Sequence, residues 1–269
     1  MHFPTILKQP MARAAILALA ACHASQALAH TSYILPNFFV ASTESYVTLQ
    51  SAFAEELFHP EVAVDANDFH VILPDGSRGE FEAIGKHRQL VILESPLLQD
   101  GTYRFTTGVR RGRMSKSALI DGQWKPVQGD KAPAGATRFK TSQTETVADV
   151  YVTKKGPTRA PVDRQIGRLV IQPVTHPSEV ALDSNLKLKV LFDGKPLDGQ
   201  TVVLDRGGAE YGEAKVHREV KTSADGSLDL KFDKPGVYLL MTRHKADAPT
   251  GSETDERSYT TSLTFEVQP

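Results

Sequence analysis

Short runs in which apolar and polar residues alternate are the main pattern along the chain after residue 40. Ser45–Gln50 alternates with a period of two, as expected of a strand that buries one face. Asp68–Leu73 is followed by Pro74-Asp75-Gly76, a turn sequence in which Pro fixes φ and Gly accepts a positive φ. No helical period separates such runs, which favours a β-sandwich.

The second half of the chain has the same pattern with tighter turns. Leu186–Phe192 and Gln200–Asp205 flank a Gly- and Pro-containing turn at residues 193–199, and Pro235-Gly236 opens the strand Val237–His244. These features are typical of a small immunoglobulin-like or prealbumin-like unit. We therefore predict an all-β fold with two β-sandwich domains in series.

Glycines, prolines and basic residues interrupt the alternation between the two halves. We expect a long connection over residues 108–145, with one hairpin at Asp121-Gly122, and a linker over residues 154–165. The predicted organisation is a signal peptide (1–29), an N-terminal β-sandwich (30–153), the linker, and a C-terminal prealbumin-like β-sandwich (166–269).

The amino-terminal segment has the layout of a secretory signal. Lys8 and Arg13 precede an eight-residue apolar run, too short to span a bilayer, and small residues ending in Ala27-Leu28-Ala29 follow. Cleavage after Ala29 would export the protein to the periplasm with His30 as its first residue. The alternative is a lipobox ending at Cys22, the single cysteine, whose acylation would tether the protein to a membrane.

Composition narrows the function classes. The 269 residues include 31 Lys and Arg against 32 Asp and Glu, so the net charge of -1 predicts neither nucleic acid nor anionic lipid as a partner. The sequence contains no Gly-x-Ser-x-Gly, P-loop, Gly-x-Gly-x-x-Gly or His-Glu-x-x-His motif. We therefore predict a protein that is not an enzyme.

Histidine carries the remaining candidate chemistry, because neutral imidazole is the commonest metal ligand in proteins. As a first residue, His30 would offer its α-amine, with an ordinary pKa of about 7.7–8.0, and its Nδ1 to one metal ion. Nitrogen ligands of this kind suit Cu(II) and Ni(II). The alternative is a solvated terminal histidine.

Three further histidines are candidate ligands. His244 ends a predicted strand, where a sandwich gathers loop residues, and His176 is held extended by Pro177. His70 alternates out of phase with its apolar neighbours and is expected to face away from them. Each position equally suits an ordinary strand end, turn or surface histidine, and no spacing between them defines a site.

Several longer segments carry a resemblance to a known family. They are Ala29-His30 leading to Tyr33–Pro36, Asp68–Val71, Leu169–Pro177, Val190–Gln200 and Pro235–His244. In these segments the chain resembles the bacterial family called domain of unknown function 4198, which is grouped with periplasmic components associated with cobalt and nickel uptake. Family members commonly carry an aromatic residue such as Trp shortly after the first His, and this chain has Tyr33 there.

The resemblance implies an exported β-rich protein linked to transition-metal handling, but no mechanism. It favours His30 and His244 as ligands, with His176 and His70 as completions. We therefore expect a periplasmic protein that binds Ni, Co or Cu for uptake or delivery, with a membrane metal transporter or an outer-membrane receptor as partner.

Two alternatives remain at this point. One is an adaptor module for such a transporter or receptor, whose histidines are incidental. The other is a copper mono-oxygenase with a histidine brace, although such enzymes usually present aromatic residues to a polysaccharide and this chain has one tryptophan, Trp124.

Overall fold

The computed structural model describes residues 30–129, 131, 133–208 and 216–269, and the predicted signal peptide with Cys22 lies outside them. The predicted all-β class is confirmed. The described strands are β1 Thr31–Pro36, β2 Val40–Ala41, β3 Tyr46–Ala54, β4 Val62–Ala63, β5 His70–Ile72, β6 Arg78–Gly79, β7 Ala83–Lys86, β8 Val91–Pro96, β9 Gly101–Thr106, β10 Arg110–Ile120, β11 Gln123–Pro126, β12 Arg138–Lys154, β13 Leu169–Pro173, β14 Leu186–Phe192, β15 Lys195–Pro196, β16 Thr201–Arg206, β17 Val216–Lys221, β18 Ser227–Leu230, β19 Gly236–Asp247 and β20 Glu256–Val267. Helical structure is limited to α1 Ala160–Asp163 and a 3-10 turn, Pro177–Glu179, in the described residues. None of this helical structure is long and apolar enough to span a bilayer.

The described strands form three sheets. Sheet A has the order β1-β3-β8-β7, with β4 beside β3, and sheet C has the order β13-β14-β15, with β18 beside β14. Sheet B has eleven strands in the order β17-β16-β19-β20-β12-β9-β5-β6, with β2 and β10 also paired to β12, and β11 to β10. Sheet B therefore runs through both halves of the chain.

The two halves meet where β12 and β20 pair in parallel. Their register runs without a break from Ser142–Glu256 to Val150–Thr264. Because side chains alternate between the faces of a strand, Ala148, Val150 and Val152 of β12 enter the N-terminal core, whereas Tyr151 enters the C-terminal core. Sheets A and C thus pack on opposite faces of sheet B.

Each half has its own apolar core. The N-terminal core lies between sheet A and β5, β9 and β12, and includes Ile34, Val47, Leu49, Val71, Leu93, Tyr103 and Phe105. The C-terminal core lies between sheet C and β16, β19 and β20, and includes Leu188, Val190, Leu204, Leu230, Tyr238, Leu240 and Phe265.

The second face of β9 and β12 is polar and buried. Arg104 Nη2 donates to Asp149 Oδ2 at 2.6 Å, and the two side chains are only 2% and 8% exposed. The Arg104 guanidinium also lies 5.6 Å from the centre of the Tyr151 ring. Arg104 Nε and Asp149 Oδ1 make no hydrogen bond to any described residue. Each charge therefore depends on the other for compensation.

The predicted linker, 154–165, packs against this polar face. Pro161 and Val162 of α1 are buried, and the backbone N–H of Thr158 donates to Thr102 Oγ1 at 3.0 Å. The segment is therefore part of the folded body and not a free connection. Isolated contacts of this kind produce no periodic pattern in a sequence, so the packing of this segment was not predicted.

The predicted connection, 108–145, instead contains β10, β11 and the first part of β12. The hairpin at Asp121-Gly122 is confirmed, with positive φ at both turn residues (51° and 77°) and Ile120 paired to Gln123. Most side chains of β10 and all of β11 are at least partly exposed. A strand with two solvated faces has no apolar alternation, which is why the sequence pattern missed these strands.

His176 is buried between the two halves. Its Nδ1 accepts from the backbone N–H of Ser178 at 3.2 Å, and its Nε2 donates to the carbonyl oxygen of Thr158 at 3.2 Å and lies 3.0 Å from Thr102 Oγ1. Burial lowers the pKa of His176 below its ordinary value, so the ring is neutral at neutral pH.

Removal of one partner of the buried ion pair should strongly destabilise the fold. We expect Asp149→Ala to lower the free energy of unfolding by about 3–5 kcal/mol, because it leaves the Arg104 charge buried and unpaired. The double variant Arg104→Met, Asp149→Leu should recover most of this loss. Urea unfolding measures both effects.

Asp100→Ala is the matched control for this experiment, because it breaks the exposed 3.0 Å pair with Lys155 and should cost less than about 1 kcal/mol. Equal effects of Asp149→Ala and Asp100→Ala would contradict the assignment of the buried pair.

The stability of the protein should fall as the pH drops from about 7 to about 5. The unfolded chain protonates His176 near its ordinary pKa, whereas the folded chain resists protonation to a lower pH, so acid favours unfolding. His176→Asn should reduce this pH dependence while keeping a side chain that caps the 3-10 turn. Thermal unfolding at a series of pH values tests this, and an unchanged pH dependence in the variant would refute it.

Candidate metal centre

His30 lies at the start of β1 and contacts a carboxylate. Its Nε2 is 2.7 Å from Glu61 Oε2, and both side chains are partly exposed. A carboxylate accepts hydrogen bonds, so Nε2 carries the proton in this contact. The lone pair of the neutral ring is then on Nδ1, the nitrogen nearer the backbone.

Glu61 is itself held in place. Its Oε1 accepts from the backbone N–H of Glu55 at 2.9 Å. This hydrogen bond is the main reason that the pKa of Glu61 is lowered, and the contact with His30 lowers it further. Glu61 is therefore an anion at neutral pH and orients the His30 ring.

The loop that carries Glu61, residues 55–61 between β3 and β4, is anchored by an aromatic side chain. Phe58 has a φ of 63° and packs edge-on against the buried Tyr33 ring, with 5.3 Å between ring centres. A Cβ atom at Gly207 would lie 2.9 Å from the Phe58 ring, so the absence of a side chain there makes room for it. The backbone N–H of Glu61 donates to the carbonyl oxygen of Phe53 at 3.1 Å. Apolar packing thus positions the loop beside His30.

The same loop carries another histidine, His59, which Pro60 follows directly in the sequence. His59 Nδ1 lies 3.3 Å from Glu56 Oε2 on the surface. The signal that identifies this loop is local composition, since residues 55–61 contain three glutamates and one histidine.

His244 lies on β19 in the C-terminal half. Its ring packs on Phe192, with 4.7 Å between ring centres, and its Nδ1 is 3.3 Å from Gln200 Oε1. Burial lowers the pKa of His244, and the nearby Asp193 carboxylate partly offsets this. Asp193 is already paired with Arg168, whose Nε donates to Asp193 Oδ1 at 2.6 Å.

The alternation of β19 places His244 on the opposite face of sheet B from β1. β19 pairs with β20 in an unbroken register, so His244 shares a face with Leu240, which is in the C-terminal core. Leu239 points to the other face and packs with Tyr33 of β1. The structure therefore does not bring His30 and His244 together, contrary to the predicted joint site.

His176 and His70 also lie apart from His30. Protein groups occupy both ring nitrogens of His176. His70 faces away from Phe69 and Val71 of the N-terminal core, but it is only 5% exposed and so does not lie on the open surface, and its Nδ1 donates to the carbonyl oxygen of Asp68 at 2.7 Å. The second face of the sheet near β5 is covered by the segment after β12, which alternation alone does not reveal.

The four predicted ligands thus occupy separate positions. Within the described ranges, no group of three or more His, Cys, Asp or Glu side chains could hold a metal ion. A ligand set in the described part of the chain would therefore have to include groups other than these side chains, such as the His30 α-amine.

No curated protein matches the chain. The D0-D1 domain of intimin, one of the solved structures that match, is 13% identical over 88% of this chain and 97% of that chain, with a TM-score of 0.24. A family model, described as domain of unknown function (DUF4198), matches residues 27–246, which is most of the chain. The chain therefore belongs to the DUF4198 family.

Proposed function

We propose that the mature protein begins at His30 and binds a divalent transition metal, Ni, Co or Cu, in the periplasm. The ligands are the α-amine and Nδ1 of His30. The observation that carries the proposal is the 2.7 Å contact between His30 Nε2 and Glu61, because it leaves Nδ1 as the ring nitrogen with a lone pair.

The chemistry of the two nitrogens supports this proposal. The α-amine and Nδ1 of one histidine close a six-membered ring on a metal, and tetragonal Cu(II) and Ni(II) favour such nitrogen ligands. Histidine ligands usually donate their other ring N–H to a carboxylate, a backbone carbonyl or water, which fixes the tautomer and orientation of the ring and raises its basicity. Glu61 is the carboxylate that accepts the Nε2–H of His30.

The exposure of the pair favours delivery over permanent retention. His30 and Glu61 are both partly open to solvent, so coordination positions beyond the two nitrogens remain accessible to water or to donors from another protein. We propose that a membrane metal transporter or an outer-membrane receptor exchanges the ion with this site. The proposed role is capture and delivery, without chemistry on a substrate.

Calorimetric titration of protein processed at His30 with Ni(II), Co(II) and Cu(II) tests the proposal. We expect one ion per chain, and we expect both His30→Ala and N-terminal acetylation to weaken binding by about two orders of magnitude, because each removes one nitrogen of the chelate.

His244→Ala is the control and should bind as the unmodified protein does, since it lies on the other face of sheet B. Full affinity in both the acetylated protein and His30→Ala would refute the proposed ligands.

Glu61→Ala should weaken metal binding by about 10–100-fold without unfolding the protein, because it removes the group that holds the His30 tautomer and ring orientation. Glu56→Ala, in the same loop, is the matched control and should have little effect. The same titrations give both affinities, and thermal unfolding checks the fold. Equal losses in the two variants would contradict the orienting role of Glu61.

A further inference from the structure

The strands that the structure places within the predicted connection are strongly basic and largely exposed. We call residues 110–143 the basic extension; they include β10, β11 and the first residues of β12. The sequence of this stretch has two acidic residues, Asp121 and Asp130, against eight basic residues: Arg110, Arg111, Arg113, Lys116, Lys125, Lys131, Arg138 and Lys140. Its net charge is therefore +6 in a chain whose net charge is -1.

Large apolar side chains are exposed among these charges. Met114 is 56% exposed, Trp124 42% and Phe139 44%. The cations lie over the aromatic rings, with Lys116 Nζ 4.5 Å from the centre of the Phe139 ring and Lys140 Nζ 5.5 Å from that of Trp124. Exposed aromatic rings and cations are therefore close together on this surface, where both could contact the same partner.

Both faces of the basic extension have this character. Trp124 is paired across the sheet with Leu119, which is paired with Arg138, so these three share one face. Lys125 and Phe139 belong to the adjacent set of paired residues and therefore lie on the other face. The aromatic and cationic groups are therefore presented in two opposite directions.

We propose that the basic extension docks on a membrane surface that bears anionic lipid headgroups. Lys and Arg side chains are attracted to such a surface, and Trp settles at the depth of the headgroups. A folded protein partner with one complementary surface would cover only one face of the extension. A layer of headgroups surrounds both faces, which is why the two-sided arrangement favours lipid.

This docking is independent of the metal site. β12 runs from the basic extension directly into the body of the fold, where it pairs with β9 and β20. A lipid-bound extension would thus hold the whole protein at the membrane through one continuous strand.

Fluorescence of Trp124, the single tryptophan of the sequence, provides a direct test. The full mature protein is mixed with vesicles of phosphatidylcholine alone or of phosphatidylcholine with phosphatidylglycerol. We expect a blue shift and co-sedimentation with the anionic vesicles only, and we expect both to decline as the ionic strength rises. No shift and no co-sedimentation with anionic vesicles would overturn the proposal.

The variant Lys116→Gln, Lys125→Gln, Arg138→Gln should weaken vesicle binding by on the order of 100-fold, since each basic group contributes about a factor of five near an anionic surface. The matched control Lys187→Gln, Lys195→Gln, Lys221→Gln removes the same charge from exposed positions of the C-terminal sandwich and should bind as the unmodified protein does. Thermal unfolding confirms that both variants fold. Equal losses in the two variants would show attraction by net charge alone and overturn the proposal.

Soluble polyglutamate provides the last arm of the experiment. One outcome is that the protein binds polyglutamate as strongly as it binds anionic vesicles while the vesicles cause no Trp124 blue shift. That result would identify an acidic macromolecule as the partner and overturn the lipid proposal. Strong vesicle binding with a blue shift and weak polymer binding would support it.

Discussion

The parallel pairing of β12 with β20 is the contact on which both halves of the molecule depend. Residues far apart in the chain, from Ser142–Glu256 to Val150–Thr264, form one continuous ladder, and this ladder joins two sandwiches into one sheet. The alternation of β12 then assigns side chains to two different cores, with Val150 in one and Tyr151 in the other. The buried Arg104–Asp149 pair lies on the same side of the sheet as Tyr151, where the segment after β12 covers it. Loss of this ladder would separate the cores and expose these charges.

The same sheet determines which candidate ligands can meet. β1 crosses one face of sheet B, where Ser262 Oγ donates to the carbonyl oxygen of Ser32 at 2.6 Å, and His30 is at the start of that strand. His244 faces the other sandwich. A metal site that includes both would need a change of fold, so the proposed site uses two nitrogens of His30 alone. A neighbouring loop orients the His30 ring, because the packing of Phe58 on Tyr33 places the Glu61 carboxylate beside it.

Charge is distributed unevenly along the chain. The near-zero net charge of the chain hides a local excess of +6 in the basic extension, which the rest of the molecule balances. Because solvated charges are screened over roughly 10 Å, a partner meets the local charge and not the total. The proposed metal site and the basic extension would therefore bind two different partners, an ion and a lipid surface, from separate parts of the same fold.

Alternation along the chain was sufficient to predict the all-β class and the two sandwiches, because burial of one strand face leaves a period of two in the sequence. The hairpin at Asp121-Gly122 was predicted from its turn residues. The expected cleavage after Ala29 made His30 a candidate ligand. Only the tertiary structure showed that β12 and β20 pair, since the sequence contains no signal for a partner more than one hundred residues away. For the same reason, the burial of His70 and His176, the separation of His244 from His30 and the place of Glu61 beside His30 were decided by which sheet faces are covered. The bounds of the strands in the basic extension were not predicted, because both faces of these strands are largely exposed to solvent. Their sequences therefore lack the alternation that identifies the other strands.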